Sequence, residues 1–186
     1  YSAPFDVAST TTVRFRAYDR VGNEELVGQQ LIRIDTVAPT TSAAAANTSG
    51  SVHWNGSGAV FYRPGGSGGF DLTATVTDGD SGPQKASFPA IAGFGAGGDD
   101  TTVPYSSSYS YSGTPTEPGA KVVTGYDNVN RTSTATVNVT ADSTAPSGHS
   151  ATIAGGYYTA LSVAVTLDNG SDAGAGVNPA SAVLER

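Results

Sequence analysis

Residues 122–146 read VVTGYDNVNRTSTATVNVTADSTAP, and residues 13–39 read VRFRAYDRVGNEELVGQQLIRIDTVAP. One signature runs through both. Tyr18, Asp19, Val21, Gly22 and Asn23, followed by Asp35, Ala38 and Pro39, return as Tyr126, Asp127, Val129 and Asn130, followed by Asp142, Ala145 and Pro146. The two prolines stand about 107 residues apart, the length of one small domain. A unit of that size used twice makes the chain an array.

Within each copy the local pattern is that of paired strands. Val13, Phe15 and Ala17 alternate with Arg14, Arg16 and Tyr18, so one face is apolar at period two and the strand is half-buried. Asp19 to Asn23 then forms a turn, with Gly22 where a positive φ is needed. Asn130 takes that place in the second copy, and Asn is the next most tolerant residue of the left-handed region. The returning strands point Ile32 and Ile34, and in the second copy Val139 and Ala141, inward. Each copy leaves its sheet through an Asp and an Ala-Pro pair, because proline has no N–H for the ladder.

Matching outward extends the array. Leu72, Ala74 and Val76 alternate with polar residues and run into Asp78, Asp80, Ser81 and Gly82; Val163, Val165 and Leu167 run into Asp168, Asp172, Gly174 and Gly176. Three units are expected: residues 1–39 as the C-terminal part of a domain, 40–146 as a complete domain, and 147–186 as the N-terminal part of a further one. In the central unit strands are expected near 51–54, 59–63, 70–77, 84–88, 103–112, 119–126 and 133–141. That spacing predicts an all-β antiparallel sandwich, with no segment of helical period.

Composition narrows the function classes. A formal charge of −7 over 186 residues argues against nucleic acid, whose phosphates demand a basic face. No stretch approaches the roughly 20 apolar residues of a membrane helix. Cysteine is absent, which removes disulfides, thiolate metal sites and thiol nucleophiles. The two histidines, His53 and His149, sit in no motif pairing them with a nucleophile or metal, so no catalytic residue is expected. A cysteine-free, Ser/Thr-rich, acidic repeat suits a bacterial exterior, and the expected location is extracellular or at the cell surface.

The run from Thr12 to Thr41, with its Asp-Arg-Val-Gly-Asn turn, Asp35 and Ala38-Pro39-Thr40-Thr41 exit, resembles the tandem bacterial Ig-like (immunoglobulin/fibronectin-III-like) repeats of large surface proteins and secreted enzymes. The match recurs at Val122 to Pro146. The resemblance implies tandem Ig-like sandwiches acting as stalks, spacers or adhesive modules, some of which bind calcium at loops or junctions. Asn130-Arg131 departs from the Gly-Asn of the first copy.

Three groups of residues remain as candidate sites. Asp78, Asp80, Asp168 and Asp172 are candidate calcium ligands, since Ca²⁺ takes hard oxygens in flexible loops; otherwise they are turn-formers that bond their own backbone. Asp19, Gly22, Asp35, Pro39, Asp127, Asn130, Asp142 and Pro146 are read as turn and linker residues. Tyr105, Tyr109 and Tyr111 share one strand face, with Trp54 in another hairpin. Exposed, they form a platform for glycans or an interface; buried, they are sandwich core, the preferred assignment. The expected role is a non-enzymatic segment of an extracellular fibre, stalk or adhesin. Its partners are neighbouring repeats of the same or identical chains, joined head to tail by strand complementation and stiffened by calcium. The alternative is a carbohydrate-binding or adhesive module of a secreted multidomain enzyme, meeting glycans or a host or cell surface.

Overall fold

The computed structural model describes residues 3–116, 119–181 and 183, and it is all-β apart from one 3₁₀ turn at Pro179–Ser181. The chain opens with a hairpin of β1 (Thr11–Phe15) and β2 (Gly28–Ile32), paired antiparallel from Thr11 opposite Ile32 to Phe15 opposite Gly28. It ends with a short ladder of β12 (Ser150–Thr152) and β13 (Thr166–Asp168). Between them stand β3 (Thr40–Gly50), β4 (Val52–Trp54), β5 (Ala59–Tyr62), β6 (Gly66–Thr77), β7 (Pro83–Phe88), β8 (Gly98–Asp100), β9 (Tyr105–Gly113), β10 (Gly119–Asp127) and β11 (Thr132–Ala141).

These nine strands make two sheets. One has the order β3-β6-β9, and the other β4-β5-β11-β10-β7-β8. All neighbours are antiparallel except β5 and β11, which run parallel from Ala59 opposite Asn138 to Tyr62 opposite Ala141. The sheets pack face to face as a sandwich. Leu72, Ala74, Val76, Tyr105, Tyr109 and Tyr111 of the first sheet meet Val60, Tyr62, Phe88, Val123, Val137 and Val139 of the second in one buried core.

The longest surprise is β3. Its sequence TTSAAAANTSG carries no large side chain and little β-propensity, yet it pairs with β6 from Thr40 opposite Thr77 to Ala46 opposite Asp71. Small residues let it lie close on the core, where Ala45 is buried and Ala43 packs against its edge. The register shifts between Ala46 and Ser49, where Asn47 sits at φ 50° and donates from Nδ2 to Asp71 Oδ2 at 2.6 Å. Such a bulge bends the strand and blunts an exposed edge. At Gly125 in β10 a Cβ would collide with Thr41 Oγ1 and Val76, so glycine permits the close approach of the two sheets there.

The alternation read in the flanking segments meets a different setting. Val13, Ile32 and Ile34 are half-buried, but Phe15 is 61% exposed, and Val163, Val165 and Leu167 all reach solvent. Ala141, expected to point inward, is also exposed, because β11 has left the core by that point.

Candidate functional site

One pole of the sandwich gathers acidic residues through ordinary turn chemistry. Between β10 and β11, Asp127 Oδ1 accepts the amides of Val129 at 2.9 Å and Arg131 at 2.8 Å, while its backbone N–H bonds Arg131 O at 3.1 Å. Asn130 takes φ 64°, as its place in the turn requires. Both amide bonds use Oδ1. The other oxygen, Oδ2, is enclosed in a residue of 0% exposure and has no hydrogen-bond partner. A buried carboxylate oxygen without donor or cation is costly.

The loop after β6 reaches the same place. Asp78 Oδ1 accepts the amides of Asp80 at 3.2 Å and Gly82 at 2.7 Å. Asn128 Nδ2 donates to Ser81 O at 2.8 Å and Gly82 O at 3.1 Å, tying this loop to the Asp127 turn. The linker then brings Asp35 in from the N-terminal hairpin. Its Oδ2 accepts the Ser81 amide at 3.1 Å and its Oδ1 the Val37 amide at 2.9 Å. Hydrogen bonding by Ser81, then Val37, with a lesser contribution from the Arg131 charge, holds the Asp35 carboxyl below the usual aspartate value. Arg131 also donates from Nε to Asp35 O at 3.3 Å.

One carboxylate oxygen from each of Asp35, Asp78 and Asp127 thus lies within 4.8 Å of the other two. An open cleft of about 420 Å³ reaches this group at Asp35 and is lined also by Thr10, Arg33, Ile34, Asp80, Ser81 and Val129. Asp78 and Asp80 both stand among the candidate ligands that the sequence offers. The structure instead leaves Asp80 exposed as an amide donor and groups Asp78 with two residues read only as turn and linker positions.

The second junction repeats part of this design. Asp142 Oδ2 accepts the Ala175 amide at 2.7 Å, as Asp35 accepts that of Ser81. Asp172 Oδ1 accepts Gly174 at 2.9 Å and Gly176 at 3.0 Å, the same two-and-four-residue pattern as Asp78. Asp172 Oδ2 is again buried without a partner. Asp172 is therefore the counterpart of Asp78, and Asp168 is separate: it is exposed and accepts only the Gly170 amide, at 2.9 Å. A cleft of about 550 Å³ lies here, lined by His53, Arg63, Asp142, Asp172 and linker residues as far as Pro146. Pro39, at the corresponding place in the first linker, is buried, whereas Pro146 is exposed.

The aromatic row is core. Tyr105, Tyr109 and Tyr111 are buried, and Trp54 is half-buried against the same cluster, so they form no exposed platform. Tyr62 meets Phe94 edge-on at 5.1 Å and Tyr111 at 5.2 Å, and Phe70 stacks on Tyr109 at 5.4 Å. Their hydroxyls still find acceptors, Tyr109 on Pro89 O at 2.7 Å and Tyr111 on Arg63 O at 2.9 Å. Burial pushes both hydroxyls above the ordinary tyrosine value.

The linker residues Asp35 and Asp142 are the part of the site that motif reading undervalued. The available signal was their recurrence one unit apart, each a few residues ahead of an Ala-Pro pair. Comparison of the chain with protein-family models, with curated proteins and with solved structures found no match.

Proposed function

We infer that the chain is a non-enzymatic structural segment of a bacterial extracellular fibre, stalk or adhesin, built from serial Ig-like sandwiches whose linkers are docked rather than free. The observation that carries this is the junction contact made twice. A linker aspartate, Asp35 or Asp142, accepts the amide of a residue in the loop that follows the next unit's strand, Ser81 or Ala175. A contact of that kind restricts bending at each joint.

Two further observations support the reading. A three-stranded sheet β3-β6-β9 facing the sheet β4-β5-β11-β10-β7-β8, antiparallel but for the β5–β11 pair, is the all-β sandwich class to which Ig-like units belong. The terminal segments expose apolar side chains: Phe15, Val27 and Leu31 in the first, Ile153, Leu161 and Leu167 in the last. Strands of neighbouring repeats, in the same chain or in identical chains, cover those faces by strand addition.

Small-angle scattering of the 186-residue chain tests this. The expected particle is elongated, with a maximum dimension that shortens or broadens in its distribution when Asp35 and Asp142 are both changed to Ala. A compact particle, indifferent to those changes, would overturn the reading.

A further inference from the structure

We propose that Asp35, Asp78 and Asp127 form a calcium site that clamps the first linker onto the pole of the sandwich. Turn formation accounts for one oxygen of Asp78 and one of Asp127, since Oδ1 in each bonds the amides two and four residues on. It does not account for the convergence of the three carboxylates within 4.8 Å. Nor does it account for Asp127 Oδ2, which is fully enclosed beside two like charges with no donor to meet it.

A divalent cation resolves both features. Oxygens bound to one Ca²⁺ at about 2.3 to 2.6 Å lie no more than about 4.6 to 5.2 Å apart, which admits the observed grouping. The three carboxylates supply a charge of −3, of which Arg131, bonded to Asp35 O rather than to a carboxylate oxygen of the group, offsets only part. Main-chain carbonyls and water from the adjoining cleft complete the six to eight ligands that Ca²⁺ takes. The ligands come from three separate places in the chain: the linker, the loop after β6 and the β10–β11 turn. Binding therefore couples the linker to the sandwich.

The second junction supports the assignment and limits it. Asp142 and Asp172 reproduce the linker and loop positions, including an enclosed, unpartnered Asp172 Oδ2. Among the described residues no third acid joins them. The Asp19 turn, equivalent to that of Asp127, does not offer the same free oxygen, because its Oδ2 accepts Asn23 Nδ2 at 2.6 Å. Arg131 stands where Asn23 stands, and this substitution is what leaves Asp127 Oδ2 without a partner. One site per chain follows.

The site rests on the reading of the chain as docked serial units, and the test separates the two. The full chain, stripped with chelator and dialysed, is titrated with CaCl₂ by calorimetry, with melting curves recorded at several calcium concentrations. One saturable site per chain is expected, with a melting temperature that rises with calcium. Asp127→Asn keeps an oxygen for the turn amides but removes the charge. It should weaken calcium binding about tenfold or more, while its calcium-free form melts no lower than the unaltered protein. Asp35→Asn, on the linker and outside the sandwich core, carries the same binding expectation should Asp127→Asn not fold. Asp99→Asn, on β8, leaves the titration unchanged. Absence of saturable binding in the unaltered protein, or unweakened binding in the Asp127 and Asp35 variants, would overturn the proposal. Scattering on the same samples then tests the stiffened linker: saturable binding with no change in particle shape upholds the site and removes the stiffening. An elongated particle that binds no calcium removes the site and retains the array.

Discussion

The turns at Asp19 and Asp127 are close to the same object in two settings. In both, Oδ1 accepts the amides two and four residues on, at 2.9 and 2.8 Å in each. In both, the fourth residue takes a positive φ, 92° at Gly22 and 64° at Asn130. What separates them is what surrounds them. Asp19 is exposed on the open N-terminal hairpin and its second oxygen is capped by Asn23, whereas Asp127 is enclosed at the pole of the two-sheet sandwich beside Asp35 and Asp78. A local motif makes the same turn wherever it occurs, and only its neighbours decide whether that turn carries a binding group.

The sharpest way to break this comparison is through the cores behind the two turns. Leu72 is wholly buried between the sheets, so Leu72→Ala is expected to cost about 2 to 5 kcal/mol of unfolding free energy. Leu31 on the hairpin is exposed, and Leu31→Ala should change stability by no more than about 0.5 kcal/mol. Denaturant unfolding of the two variants measures this, and equal losses would mean that the hairpin is covered as fully as the sandwich.

A smaller difference is expected at the turns themselves. Asp127→Ala removes the acceptor of two part-buried amide bonds that Asp127→Asn still satisfies, so in calcium-free buffer the Ala variant should be less stable than the Asn variant by about 0.5 to 1.5 kcal/mol. The same pair of changes at Asp19 should differ less, because there the aspartate and both of its amide bonds are exposed and water replaces the lost acceptor. Chemical denaturation of the four variants is the check.

The smallest effect concerns pH. Asp71, on β6, accepts Asn47 Nδ2 and Ser108 Oγ, each at 2.6 Å, and these bonds, Asn47 first, hold its carboxyl below the usual aspartate value. A carboxyl depressed in the folded state binds protons more readily when unfolded. Its stabilisation is therefore present above about pH 4 and is lost as pH falls through the folded value. Melting temperatures between pH 6 and pH 2.5 should show a slightly shallower acid decline for Asp71→Asn than for the unaltered chain, and an identical slope would remove Asp71 from the account.

Legibility of the fold followed side-chain size. Strands with alternating large apolar residues, such as β6, β10 and β11, stand close to where alternation places them. β3 escaped because TTSAAAANTSG has no such alternation; its place comes from pairing with β6 and from the narrow space beside Gly125, which a row of alanines fits. The first residues of β6, Gly66 to Gly69, escaped for the same reason, as did β8, whose Gly-Asp-Asp carries no apolar side chain. At the candidate site the acidic residues were individually visible as turn-formers and linkers. Their grouping was not, since Asp35, Asp78 and Asp127 are far apart in the chain and meet only when linker, loop and turn converge.

By itself, then, the sequence determined the repeat, the all-β class and the chemistry of each turn, because period-two alternation, positive-φ positions and Asp-to-amide bonding act over a few residues. The tertiary structure alone decided that the tyrosine row is interior and that three carboxylates converge within 4.8 Å, with Asp127 Oδ2 deprived of any partner. Burial and charge proximity depend on which distant segments pack together, and no local rule carries that information.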